Sequence, residues 1–190
     1  KGVRFTDFYS TSAICSPSRA ALMTGQYPIR NGIAPVFFPH SKGGLDTSTL
    51  SMADMFKQKG YATACIGKWH LGHQPQYHPS KHGFDYFFGL RYSNDMDWPR
   101  PWQPDYTPMQ DLALYRDTVI IDQPVYQPTL TQRYTAEAIQ FIARHQSRPF
   151  FLYWPHTFPH EPLYASAQFL GTSKYGLYGD VVQELDHSVG

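Results

Sequence analysis

Hydrophobic positions recur along this chain in two ways, three and four apart or in short unbroken runs, and the two predict different elements. Leu130, Tyr134, Ala138, Phe141 and Ile142 keep the helical spacing, which predicts an amphipathic helix over about 131–146 that Pro149 ends. Tyr61 to Gly67 and Phe150 to Trp154 are unbroken and rich in β-formers, as buried strands are. Ser51 followed by Asp54 has the form of a capping box, with Leu50 and Met55 placed as a hydrophobic staple. Met52, Met55, Phe56 and Lys59 continue that helix until Gly60. Ser16 suits an N-cap, Pro17 a first helical position and Gly25 a stop, so a short helix is expected around Ala20 to Thr24. Val3 to Tyr9 alternates weakly and predicts a strand leading into it, and Asp180 opens a last helix bearing Val181, Val182, Leu185 and Val189.

Between these elements the pattern is broken. Tyr27 to Gly32 has turn chemistry, and 34–49 reads as loop. Residues 73–130 are rich in proline and aromatics without a sustained period, and only Thr118-Val119-Ile120-Ile121 reads as a strand there. A long excursion inside one domain is usually functional, and 91–128 is expected to face a substrate. The helix–strand–loop order predicts an open α/β sheet, whose sites lie outside the carboxyl ends of the strands. Lys68-Trp69-His70 and His156 to Pro162 hold that position after the two buried runs.

Composition narrows the classes. The 190 residues suffice for one domain with a core. Sixteen Lys and Arg against fifteen Asp and Glu leave a net charge of +1, so no general field recruits nucleic acid or an acidic membrane. No apolar run approaches the roughly 18 residues that span a bilayer. The chain begins at Lys1 and stops at Gly190 inside a helical pattern, which predicts a fragment and leaves a signal peptide undecided.

Cys15 and Cys65 are the two cysteines; a disulfide between them is possible on number alone, but Cys65 sits in an apolar run as a core residue does. His70, His73, His78 and His82 invite a zinc reading. They have no cysteine partner, and Pro75 and Pro79 break any helix that would align them, so solvated or supporting histidines fit better.

The chemistry concentrates at Cys15-Ser16-Pro17-Ser18-Arg19, just ahead of the expected helix. Free N–H groups and the helix dipole favour an anion there, and Arg19 follows one turn in. An ordinary small buried cysteine is the plainer alternative. No nucleophile elbow, P-loop or dinucleotide fingerprint is present.

Cys15 to Gly25 resembles the first signature of the sulfatase family, and Gly67-Lys68-Trp69-His70-Leu71-Gly72 resembles its second, in the same order. Similarity of the arylsulfatase A and N-acetylgalactosamine-6-sulfatase kind runs the length of the chain, weakest from about Asp95 to Pro128. The resemblance implies an alkaline-phosphatase-like αβα sandwich with a mostly parallel mixed sheet, of which 1–190 is the front part of the catalytic domain. It implies hydrolysis of an aryl or carbohydrate sulfate monoester. Cys15 would be oxidised to formylglycine by the formylglycine-generating enzyme, and its hydrated aldehyde would attack sulfur. The second hydroxyl then lets the sulfated hemiacetal collapse, where a serine would be left as a stable ester.

By the same resemblance Arg19 holds the formylglycine hydroxyl, Lys68 binds a sulfate oxygen, and His70 assists the collapse. Ser93, in Arg91-Tyr92-Ser93-Asn94-Asp95, would donate to sulfate. His160 would touch the ester oxygen as general acid, with His156 as the nearby competitor. Cys15, as formylglycine, would also be a ligand of a divalent cation, usually Ca2+. The family's other ligands, two aspartates and an Asp-Asn pair, match no position in 1–190, nor does its second lysine, so this stretch alone is expected not to hold the metal. A periplasmic, secreted or lysosomal setting is implied. The alternatives are a related phosphonate or phosphate ester hydrolase, which shares the first motif, and a domain that binds sulfated glycans without cleaving them.

Overall fold

The computed structural model describes residues 3–96 and 111–190, and its strands in chain order are β1 (Ala62–Lys68), β2 (Tyr86–Leu90), β3 (Leu114–Arg116), β4 (Val119–Asp122) and β5 (Phe150–Tyr153). They form one sheet in the order β4-β3-β2-β1-β5. β1 runs parallel to both β2 and β5, with Cys65 paired to Phe87 on one side and to Tyr153 on the other. β3 and β4 are antiparallel additions beyond β2. The expected mixed, mostly parallel sheet is therefore present.

Among the described residues five α-helices accompany it: α1 (Cys15–Thr24), α2 (Pro28–Asn31), α3 (Met52–Gln58), α4 (Leu130–Arg144) and α5 (Gly176–Val189). Alternation along β1 and β2 splits the core in two. Ala64, Ile66, Phe88 and Leu90 pack with Tyr134, Ala138 and Phe141 of α4 and Val181 of α5. Cys65 and Phe87 pack on the opposite face with Ala20 and Met23 of α1 and Ala53 of α3. This three-layer order places α1 against the face that its own apolar residues cover.

The α4 periodicity is realised, and its face is pinned by Glu137. That buried carboxylate accepts from the Tyr86 hydroxyl at 2.6 Å and pairs with Arg116 at 2.7 Å. The Ser51 capping box also forms. The proposed staple does not close, because Leu50 and Met55 are each about half exposed.

Several expectations are corrected. Val3 to Tyr9 is not a strand: no described strand lies beside it, and Phe5, Phe8 and Tyr9 are exposed. β2 and β3 fall inside the stretch read as loop, while the expected strand at 118–121 appears as β4. β5 is less buried than a central strand, since Phe150 is exposed and the other three residues only half-buried. α5 starts at Gly176 rather than Asp180, whose carboxylate instead accepts from the backbone N–H groups of Gly171 and Ser173. Pro99, Pro101, Pro104 and Pro108 lie outside the described residues, so the expected excursion over 91–128 is covered only at its two ends. Both cysteines are free thiols, which removes the disulfide.

Candidate active site

α1 brings Cys15 to the carboxyl end of the sheet. The helix begins at Cys15 itself, two residues earlier than Ser16 capping would require, with extended Ile14 ahead of it and no side-chain cap. Ser16 is fully buried, and its hydroxyl accepts from the Phe37 N–H at 3.2 Å. Satisfying that N–H away from water outweighs a cap at an exposed helix start. The first turn is left without a capping side chain, facing the same space as the Cys15 thiol. Gly25 closes the helix in the left-handed region as expected.

β1 supplies the next group. Lys68 is its last residue, not a loop residue beyond it, and is almost wholly buried. Its ammonium donates to Cys15 Sγ at 3.4 Å and to Ser93 Oγ at 2.7 Å, Ser93 being buried in the loop after β2. Arg19 donates from Nη1 to the Lys68 carbonyl, which ties α1 to the end of β1. Burial pulls the Lys68 ammonium down to about 8, with Arg19 adding to the effect and Cys15 opposing it.

His70 follows with a left-handed backbone at φ 57°, a conformation in which a histidine is held only by its surroundings. Its Nε2 meets the Phe37 carbonyl at 2.7 Å. A carbonyl only accepts, so Nε2 carries the proton and Nδ1 keeps its lone pair. That Nδ1 is buried and makes no hydrogen bond with protein, and burial lowers the ring's pKa, which keeps it neutral. His160 arrives from the loop after β5, its Nδ1 bonded to the Glu161 carbonyl, and the neighbouring Cys15 raises its pKa. Burial alone would raise the Cys15 thiol. The neighbouring His160 and His70 rings and the Lys68 charge more than offset it and bring the thiol down to about 4.

The structure therefore assembles Cys15, Arg19, Lys68, His70, Ser93 and His160 from four separate segments. His156 does not join them. It lies against Trp154 and Tyr134, and both of its ring nitrogens are buried without a hydrogen bond. The zinc reading fails as well: among the described residues no three His, Cys, Asp or Glu side chains converge on a metal position. His78 caps a turn through Ser80 and bonds the Asp117 carbonyl, while His82 is buried against Trp69. A cleft of about 590 Å3 opens on Cys15, lined also by Ser10, Ser12, Arg19, Tyr153 and Pro155. Sequence reasoning missed the Phe37 carbonyl, and nothing in residues 34–49 marks it as a partner of His70.

Formylglycine at position 15 fits, because Lys68, His160 and the unpartnered Nδ1 of His70 meet a hydroxyl-bearing side chain there with a donor, a donor and an acceptor. A calcium ion does not fit on the described residues by themselves, for want of converging oxygen ligands.

A three-layer α/β domain thus gathers a buried lysine, two histidines and a helix start around one cysteine, donors that suit a tetrahedral anion. The sulfatase family profile matches residues 1–190, and the chain belongs to that family. It is 43% identical over 203 residues to N-acetylgalactosamine-6-sulfatase of Canis lupus familiaris and 38% identical over 213 residues to arylsulfatase G of Mus musculus. Both matches take in 100% of this chain but only 39% and 40% of those proteins, so it spans about two fifths of their length. A solved structure from Bacteroides thetaiotaomicron, described under the metabolism of multiple glycosaminoglycans, superimposes with a TM-score of 0.85 at 26% identity, over 100% of this chain and 50% of that one.

Proposed function

We propose that this chain is the front part of a sulfatase catalytic domain, and that the whole protein hydrolyses an O-linked sulfate monoester of an aryl group or sugar. The observation that carries the reading is the Lys68 ammonium, buried and bridging Cys15 Sγ and Ser93 Oγ at 3.4 and 2.7 Å. A buried cation aimed at a nucleophile position is suited to an anion that must be held while its centre is attacked.

Formylglycine, made from Cys15 by the formylglycine-generating enzyme, would supply a hydroxyl nucleophile and a second hydroxyl whose deprotonation releases sulfate. Lys68 and Ser93 hold sulfate oxygens beside it. His160, which reaches position 15 from the loop after β5, is placed to deliver a proton to the leaving oxygen. Neutral His70 accepts a proton at Nδ1, because its other nitrogen is committed to Phe37. Arg19 holds the end of β1 against α1 and so fixes Lys68 relative to position 15. The family's divalent cation would draw its carboxylate ligands from beyond this stretch.

The test takes the full-length protein from cells that contain the modifying enzyme. The tryptic peptide Phe5–Arg19 is expected to carry an aldehyde in place of the thiol, and nitrophenyl sulfate is expected to be cleaved far faster than nitrophenyl phosphate. Cys15→Ala should abolish turnover. Faster cleavage of the phosphate would move the protein to the phosphoester branch. A retained thiol beside a converted control sulfatase, with sulfated sugar still bound, would make it a binding domain.

A further inference from the structure

Ser93 and His160 reach position 15 from loops that follow different strands, β2 and β5. A buried side chain of the first loop hydrogen-bonds to the second. Asn94, fully buried, donates from Nδ2 to the Pro162 carbonyl at 3.1 Å, two residues past His160, and to Gln127 Oε1 at 3.0 Å. Gln127 returns a bond from Nε2 to the Asn94 carbonyl at 3.2 Å, on the residue next to Ser93. We propose that Asn94 is a positioning residue, which locks the Ser93 loop to the His160 loop through Gln127 and the Pro162 carbonyl so that both side chains meet position 15 together.

The chemistry of the amide explains the choice of residue. Pro162 and Gln127 each present an acceptor, and one NH2 group satisfies both from a fixed plane. A carboxylate of the same shape offers no donor, and a hydroxyl offers only one. Asn94 Oδ1 makes no hydrogen bond, so the two donors alone fix how this side chain is turned. Gln127 lies in the turn that leads into α4, which anchors the pair to the core through Leu130 and Tyr134. Asn94 bonds none of Cys15, Arg19, Lys68 and His70, so its effect on the site passes through the two loops. A displacement of about 1 Å at a reacting group can cost on the order of a hundredfold in rate.

Only the kinetic arm of the test rests on the sulfatase reading. In the full-length enzyme, Asn94→Ala and Asn94→Asp are compared with wild type by amide hydrogen exchange and by turnover of nitrophenyl sulfate. Exchange over 91–96 and 156–164 is expected to rise about tenfold in both variants, with β1 and α3 unchanged. Turnover should fall about a hundredfold, mostly in kcat. In a His160→Ala background, Asn94→Ala should cost clearly less than about a hundredfold more, because His160, already lost, cannot be misplaced again and only the Ser93 share of the effect remains. Unchanged exchange in both loops, or losses that simply multiply in the His160→Ala background, would overturn the proposal. Should Asn94→Ala lack a cooperative melt, Gln127→Ala takes its place and is expected to loosen 91–96 more than 156–164; wild-type exchange there would equally overturn it. If wild type cleaves no sulfate ester, the sulfatase reading fails, while the exchange arm still decides whether Asn94 ties the loops.

Discussion

The thiol of Cys15 is the residue on which the local forces can be weighed one against another. Half-burial would push a lone cysteine above its usual value near 8.5. Here the partners win, and the group ionises at about 4. In the unmodified protein, alkylation of Cys15 by iodoacetamide is therefore expected to keep a constant rate from pH 8 down to about 5 and to fall only below that. Lys68→Met, which removes one of the charges, should move the midpoint upward. Mass spectrometry of the peptide 5–19 against pH reads this directly, and a midpoint near 8 would show that the cluster does not act on the thiol. Cys65 is the internal contrast, since complete burial without such partners pushes its thiol up and it should stay unlabelled while the protein is folded.

At the scale of elements, α3 shows how a local signal and a tertiary contact share one side chain. Ser51 Oγ accepts from the Asp54 N–H at 3.1 Å and donates to the His82 carbonyl at 2.8 Å, while Asp54 accepts from the Ser51 N–H at 2.9 Å. The box was readable three residues apart in the sequence, but the bond to His82 was not, being 31 residues distant. Ser51→Ala should cost about 2 kcal/mol in urea unfolding, about half from the cap and half from the buried carbonyl left unpaired. A loss below about 0.5 kcal/mol would show that the cap is dispensable. Gly67 makes the same point in the second motif. A Cβ there would sit 2.0 Å from the Pro155 carbonyl, the group that accepts from the Lys68 N–H at 2.8 Å, so close approach of the chain after β5 requires the glycine.

For the molecule as a whole, buried histidines set the response to acid. Burial pushes His82 and His156 down to about 4, and neither ring makes a hydrogen bond. Their unfolded values lie near 6.5. Above that pH both rings are neutral in either state and stability is full. Between about 6.5 and 4 the unfolded chain takes up protons that the folded one refuses, so stability falls as pH falls and levels off below 4 for these two groups. His160, with a raised value, works in the opposite sense: its contribution is complete below about 6.5 and is lost as pH rises. Urea titrations at pH 7.5, 6 and 5 should show an uptake near pH 5 of at least about two protons on unfolding. His82→Phe should reduce it by about one, and a flat profile would refute the account.

Periodicity, caps and two short motifs were enough to determine from the sequence α1, α3, α4 and β1, and to single out Cys15, Lys68 and His70, which the fold brings together. Those signals are local, because a helix cap or an apolar face lies within a few residues of what it satisfies. β2 escaped because its five residues lie inside a proline- and aromatic-rich stretch with no sustained period to set them apart, and β3 has only three residues. Val3 to Tyr9 misled because alternation describes a side-chain pattern, whereas a strand exists only when a neighbour takes its backbone hydrogen bonds. Arg19 on the Lys68 carbonyl, His70 on Phe37, and Asn94 between Gln127 and Pro162 are contacts across 33 to 68 residues of chain. Only the folded sheet decides them, because hydrogen bonds between distant residues follow from where the strands end and not from any spacing along the sequence.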